Sequence, residues 1–136
     1  MSNIDTVKAI YAAFGRQDVP AILEHVSDDV DWDFGYGGDT DPGVPWLARR
    51  RGREGVAQFF ASVGASLEFE RFEISTIVGD GATVIALAKL AAKVRSTGKR
   101  VAEDEEAHVW HFDARGRVSR FRHCADTLQH HRAAQA

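Results

Sequence analysis

One cysteine, Cys124, stands in 136 residues. It leaves no partner for an intrachain disulfide and removes every cysteine-based zinc site. Prolines number only three, and no internal repeat, linker or low-complexity segment breaks the chain. No apolar run is long enough for a signal peptide or a membrane span, and the chain opens MSNIDTVK. A cytoplasmic protein is the expectation. Neither sign of charge dominates, with 17 Lys and Arg against 20 Asp and Glu. A net charge of −3 offers no field that would draw nucleic acid or an anionic membrane. What is present is ordinary: 44% hydrophobic and 27% charged residues, the balance of a globular protein. The length suits a single domain over 1–136, large enough to bury roughly two-thirds of its unfolded surface.

Two periods divide the chain. Ile4, Val7, Ile10, Tyr11 and Phe14 recur at helical spacing over about 4–15. Asp18 is placed to cap a second, short helix whose apolar face is Ile22, Leu23 and Val26. VDWDF (30–34) alternates, so Val30, Trp32 and Phe34 share one strand face and Asp31 and Asp33 the other. A glycine- and proline-rich loop follows over 35–45, and a third helix over about 53–65 carries Val56, Phe59, Phe60 and Val63. From residue 68 the period falls to two. LEFERFEISTIV, ATVIALAKLAAKVRS, KRVAEDEEAHVWHF and GRVSRFRHCAD read as four strands joined at GDG, STGK and DARG. Short turns make them an antiparallel meander, and Asp126 and Thr127 could cap a last helix through His131.

Helices first and strands afterwards predict an α+β fold, with about three helices on one face of a curved, mainly antiparallel sheet. DVPAILEHVSDDVDW after the first helix, RRGREGVAQFF opening the third, and HVWHFDARGRVSRFRHCADT at the end carry a family resemblance. Over about residues 4–128 the chain resembles the nuclear-transport-factor-2-like superfamily, in its SnoaL-like and ketosteroid-isomerase-like branch. The resemblance implies a cone enclosing a deep apolar pocket.

Strand parity then says which side chains enter that cone. His108, Trp110 and Phe112 share one face, and Val109 and His111 the other. On the last strand Phe121, His123 and Ala125 oppose Arg120, Arg122 and Cys124. The arginine face suits the exterior, so His108 and His123 are expected inside, with Trp32, Phe34, Tyr36, Phe60, Trp110 and Phe121 as substrate-binding walls. The pocket is expected to open near the loop 35–50.

Against ketosteroid isomerase the resemblance puts His108 where the protonated acid of the oxyanion hole stands. The general-base aspartate corresponds to Phe34 and the catalytic tyrosine to Ile10, with Tyr11 one place off and turned elsewhere; a steroid isomerase is not the reading. SnoaL-like cyclases are nearer: they imply a histidine on the penultimate strand, matched by His108, and an aspartate on the last, where His123 stands with Asp126 three residues on. Scytalone-dehydratase-like relatives imply paired histidines and a tyrosine-held water, for which Tyr36 is the candidate outside the first helix.

Histidine suits such work because its pKa near 6.5 lets it exchange protons at neutral pH. His108 is thus the expected acid or base, with His123 or Asp126 as partner. Plainer readings stand beside this. His108 can be a hydrogen-bonded core residue, Asp126 a helix cap, and EDEE (103–106) a solvated strand start with Glu106 at the mouth. Arg49, Arg50, Arg51 and Arg53 form a solvated loop or an anion clamp. His130 and His131 lie near a frayed tail. His108 and His111 occupy opposite strand faces and cannot hold one ion together, so no metal and no cofactor are expected. The expected function is proton transfer on a hydrophobic carbonyl compound, of polyketide-cyclase, isomerase or dehydratase type. The alternative is a carrier of a hydrophobic ligand. The expected partners are a small hydrophobic molecule and a second copy, paired through the outer sheet face at Ile85, Leu87 and Val109.

Overall fold

The computed structural model describes residues 1–34 and 43–136. Tyr36, with most of the glycine-rich loop, lies outside the described residues. Helix α1 (Asn3–Gly15) begins at a capping box, in which the Ser2 hydroxyl accepts from the Asp5 amide and Asp5 accepts from the Ser2 amide. Its apolar stripe, including Val7, Ile10, Tyr11 and Phe14, packs on the core. The Asp18 carboxylate caps α2 (Val19–Leu23) by accepting from the Ala21 amide. Strand β1 (Val26–Asp33) leads through the described end of the loop and a 3₁₀ turn (Pro45–Leu47) to β2 (Arg50–Arg51) and α3 (Gly52–Ser66). Then come β3 (Leu67–Asp80), β4 (Thr83–Val94), β5 (Arg100–Phe112), β6 (Val118–Cys124) and α4 (Thr127–Ala134).

The sheet runs β2-β1-β6-β5-β4-β3. Strands β3 to β6 form the antiparallel meander read from the turns. Gly81 and Gly116 turn two of its corners with φ of 60° and 78°, a region glycine enters without strain. Five strands were expected and the described residues form six, because Arg50–Arg51 adds a short antiparallel edge to β1. β1 itself lies parallel to β6, which brings Trp32 beside Phe121.

Irregularities in pairing shape the sheet. β3 breaks register between Phe69 and Arg71 and again between Ile74 and Thr76, and such bulges bend a strand. β5 carries the break that matters most. Ala88 on β4 faces Glu106, while Leu90 faces Glu103. Two steps on β4 therefore span three on β5, so one residue of 104–105 is extra. Strict alternation would put Glu103 and Glu106 on opposite faces. The bulge turns both toward the interior, where Glu106 is 4% exposed. EDEE is thus not a wholly solvated strand start.

The tail is packed rather than frayed. On α4, His130 and Ala133 are buried, Thr97 Oγ1 donates to the Ala133 carbonyl at 2.6 Å, and the Gln129 amide brackets both the N–H and the C=O of Ala102. Three arginines around the start of α3 are engaged: Arg53 with Asp28 and the Val26 carbonyl, Arg49 with Asp31, Arg50 with Ser62. No helix among the described residues is long and apolar enough to cross a membrane.

Ile22 is fully buried where α2 joins the core. Ile22→Ala should cost about 2–5 kcal/mol in urea unfolding, whereas the exposed Val78 should tolerate alanine within about 0.5 kcal/mol. Equal losses at the two sites would contradict this placement of the core.

Candidate active site

Inside the curve of the sheet lies a cavity of about 80 Å³. Its wall is aromatic: Trp32 stacks on Phe121 at 4.2 Å between ring centres, Trp110 lies 4.4 Å from Phe121, and Phe59 and Phe60 close over Trp32. Among the described residues, polar groups enter at a few points, namely Tyr11, Glu106, His108, His123 and His130. A few placed polar groups in an apolar wall is the composition of a small-molecule site.

Of the expected residues, Trp32, Phe60, His108, Trp110, Phe121 and His123 line this cavity. His108 and His123 face each other directly across β5 and β6, with ring centres 6.4 Å apart. Three expectations need correction. Phe34 is buried but does not line the cavity. Asp126 stays at the surface, where it caps α4 by accepting from the Gln129 amide, and it takes no part in the cavity wall. Tyr11, expected to turn elsewhere, points inward and bonds His108. The cavity shares Tyr11, Phe14, Phe60 and Phe72 with a wider groove of about 1010 Å³ between α1–α2 and the α3–β3 corner. The expected opening near the loop 35–50 falls largely on residues outside those described, and Trp46 from its described end lines the cavity.

The hydrogen bonds assign the protons. Trp110 Nε1–H donates to the Tyr11 oxygen at 3.1 Å. That hydroxyl lies 2.5 Å from His108 Nδ1, and His108 Nε2 lies 2.8 Å from Glu106 Oε1. An ionised carboxylate only accepts, so Nε2 carries the proton. In the neutral ring Nδ1 is then the acceptor and Tyr11 O–H donates to it. His123 turns Nδ1 toward the same Glu106 oxygen, at 3.7 Å, which leaves its Nε2 on the far side of the ring. One buried carboxylate orients both histidines. Burial acts to raise the Glu106 carboxyl, but bonds from His108, His123 and Glu103, with His108's charge, outweigh it and hold the group well below the carboxylate range.

Sequence reasoning missed a second chain. Trp46 Nε1–H donates to His130 Nδ1 at 2.8 Å, and His130 Nε2 lies 2.9 Å from Glu103 Oε2. Burial, reinforced by Glu106, pushes the Glu103 carboxyl up despite the His130 bond. No signal short of the bulge itself would have turned Glu103 inward. Tyr11 was visible, since it shares the apolar helical stripe with Val7, Ile10 and Phe14.

Burial pushes the Tyr11 phenol far above its ordinary value of 10; the Trp110 bond opposes this and Glu106's charge adds to it. A raised folded-state pKa stabilises the fold below the unfolded value and loses that contribution as pH rises through and beyond it. Native protein should therefore lose stability above about pH 10, and Tyr11→Phe should lose less over the same range. Thermal unfolding from pH 8 to 11.5 reads this; parallel curves for the two proteins would refute it.

Residues 7–121 match the family model described as SnoaL-like domain. An NTF2-like protein of unknown function from Burkholderia pseudomallei is 26% identical, with TM-score 0.80 and 100% of both chains covered. TerC, co-crystallised with polyporic acid, is 22% identical with TM-score 0.80 and 98% of each chain covered. A polyketide cyclase candidate from Pseudomonas putida is 20% identical with TM-score 0.73 and 98% of each chain covered. No curated protein matches. With 115 of its residues inside that family model, this cone of aromatic walls around a histidine pair belongs to the SnoaL-like domain family.

Proposed function

We propose that the chain is a small-molecule enzyme that moves protons on a hydrophobic carbonyl compound without a cofactor, in the manner of a polyketide cyclase, isomerase or dehydratase. One observation carries the reading: Glu106 faces both His108 and His123, and Tyr11 stands on the other nitrogen of His108. At the identities above, the neighbours share a fold, so the argument rests on the site. The ligand held by TerC is an acid, polyporic acid, and oxygen-bearing ligands are the kind this site suits.

The roles follow from proton positions. His123, with Nδ1–H toward Glu106, keeps the Nε2 lone pair and is the base. It takes a proton from the carbon beside the substrate carbonyl, and the electron pair of that C–H bond moves onto the carbonyl oxygen. His108 controls the acid. Tyr11 O–H, held on His108 Nδ1 at rest, turns to the substrate oxygen and holds the enolate, while His108 keeps its proton on Nε2 toward Glu106. The imidazolium formed on His123 is paired with Glu106. Trp32 Nε1 is buried with no hydrogen-bond partner, so a ligand oxygen within its reach would satisfy it. An 80 Å³ chamber is smaller than the roughly 150 Å³ that accepts benzene. Only the carbonyl end of the substrate enters, and the rest of it lies along the groove. The second copy is proposed on the outer sheet face, where Ile85 is 38% exposed opposite Val109.

Exchange of carbon-bound hydrogen for deuterium tests this without knowledge of the product. Wild-type protein in D₂O, given cyclohexanone, 1-tetralone or 2-tetralone, should label a site next to the carbonyl in at least one of them. His123→Ala and Tyr11→Phe should each slow labelling about 10²–10⁴-fold, with circular dichroism unchanged. Binding without labelling, seen by ligand NMR, would overturn catalysis and leave a carrier of hydrophobic ligands.

A further inference from the structure

Glu106 alone suffices for the chemistry above, yet the β5 bulge brings a second carboxyl against it. Donor atoms of Glu103, Glu106 and His130 all lie within 4.8 Å of one another. Two carboxylates held this close and away from water repel each other unless one of them carries a proton. We propose that Glu103 and Glu106 hold one proton between them, and that Glu103 with His130 and Trp46 is the positioning half of the site.

The donors settle the direction. Indole N–H only donates, so Trp46 fixes His130 Nδ1 as an acceptor and its Nε2 as the proton carrier toward Glu103. At the other end Trp110 donates to Tyr11, and the Glu106 carboxylate, which only accepts, fixes the proton on His108 Nε2. Every bond thus runs inward from two indoles to the carboxyl pair, where two charges would repel and one proton relieves them. Glu103 keeps that proton: it is pushed up while Glu106 is held down. The same logic weighs against reading the three donors as a metal centre, because His130 in this tautomer has no lone pair left for an ion.

The titratable groups facing the pair are His108 on β5, His123 on β6, His130 on α4 and, through His108, Tyr11 on α1. Asp126 offers Glu103 only its backbone N–H, at 2.7 Å, its carboxylate being turned to Gln129. Glu103 acts through Glu106 and touches no substrate. Its O–H holds Glu106 as an anion, which in turn keeps His108 and His123 in their working tautomers. The consequence for turnover rests on the function proposed above; the shared proton does not.

Carbon-13 shifts of the glutamate carboxyls, followed from pH 3 to 9, test it on wild-type protein. Glu103 should titrate above the ordinary value near 4.3 and Glu106 below it. In Glu106→Gln the Glu103 midpoint should fall, because its like-charged partner is gone. Nitrogen-15 spectra supply a second reading. Glu103→Gln keeps a donor toward Glu106 and should leave the His108 tautomer as in wild type. Glu103→Ala removes that donor, so Glu106 should gain its proton at higher pH and the His108 signals should shift with it. Both carboxyls titrating together near 4.3, or a Glu103 midpoint unmoved by Glu106→Gln, would overturn the proposal. The wild-type titration decides even where a variant fails to fold. Since these spectra need no substrate, a shared proton without deuterium labelling would sink the proposed function alone. Labelling with independent carboxyls would sink the shared proton alone.

Discussion

A carboxylate with 4% of its surface exposed is the constraint on which the rest of this molecule depends. Burying an isolated ion costs several kcal/mol even after relaxation, so the Glu106 charge exists only because donors surround it. His108 bonds it from two residues along β5, His123 faces it from β6, and Glu103 lies against it from across the β5 bulge. Loss of any one leaves a buried charge short of a partner, which is a costly defect. A structural and a chemical reading of His108 are therefore not alternatives. The bond that satisfies Glu106 is the same bond that sets the His108 tautomer.

The aromatic wall strengthens this arrangement. Trp32, Phe121 and Trp110 form a continuous stack beside which little water competes, and in such surroundings each hydrogen bond is electrostatically stronger than in water. The chamber of about 80 Å³ shares Phe14 and Phe72 with the wider groove, so under the proposed function the carbonyl end of a substrate and the rest of it would meet different surfaces.

Most of the fold was legible because two simple periods govern it. The helical stripe from Val7 to Phe14 and the alternation in β4, β5 and β6 place Trp32, Trp110, His108, Phe121 and His123 correctly inside. Parity failed where a strand departs from parity. One extra residue at 104–105 turns Glu103 inward, and a string of four acidic residues gave no sign of it. Asp126 was misjudged for a related reason: proximity in sequence to His123 suggested proximity in the pocket, yet the chain leaves the sheet at Cys124 and spends Asp126 on a cap. Tyr11 was hidden by the likeness to ketosteroid isomerase rather than by the sequence, since its own helical spacing already placed it on the buried stripe. His130 needed α4 to pack, and that packing rests on Gln129 and Thr97, polar contacts that periodicity does not register.

The two tryptophan indoles explain why such a network can have one arrangement. A chain of hydroxyls and imidazoles alone could reverse all its protons at little cost, because each member both donates and accepts. Trp46 and Trp110 cannot reverse. Each ends a chain with a group that only donates; Trp46 thereby sets the His130 tautomer, and the Glu106 carboxylate, which only accepts, sets that of His108. The variable left to the site is the count itself. Adding one proton to His108 turns the Tyr11 bond around; removing one from Glu103 puts a second charge beside Glu106. The geometry is thus fixed by groups that only donate or only accept, and proton number is the one quantity the network leaves open.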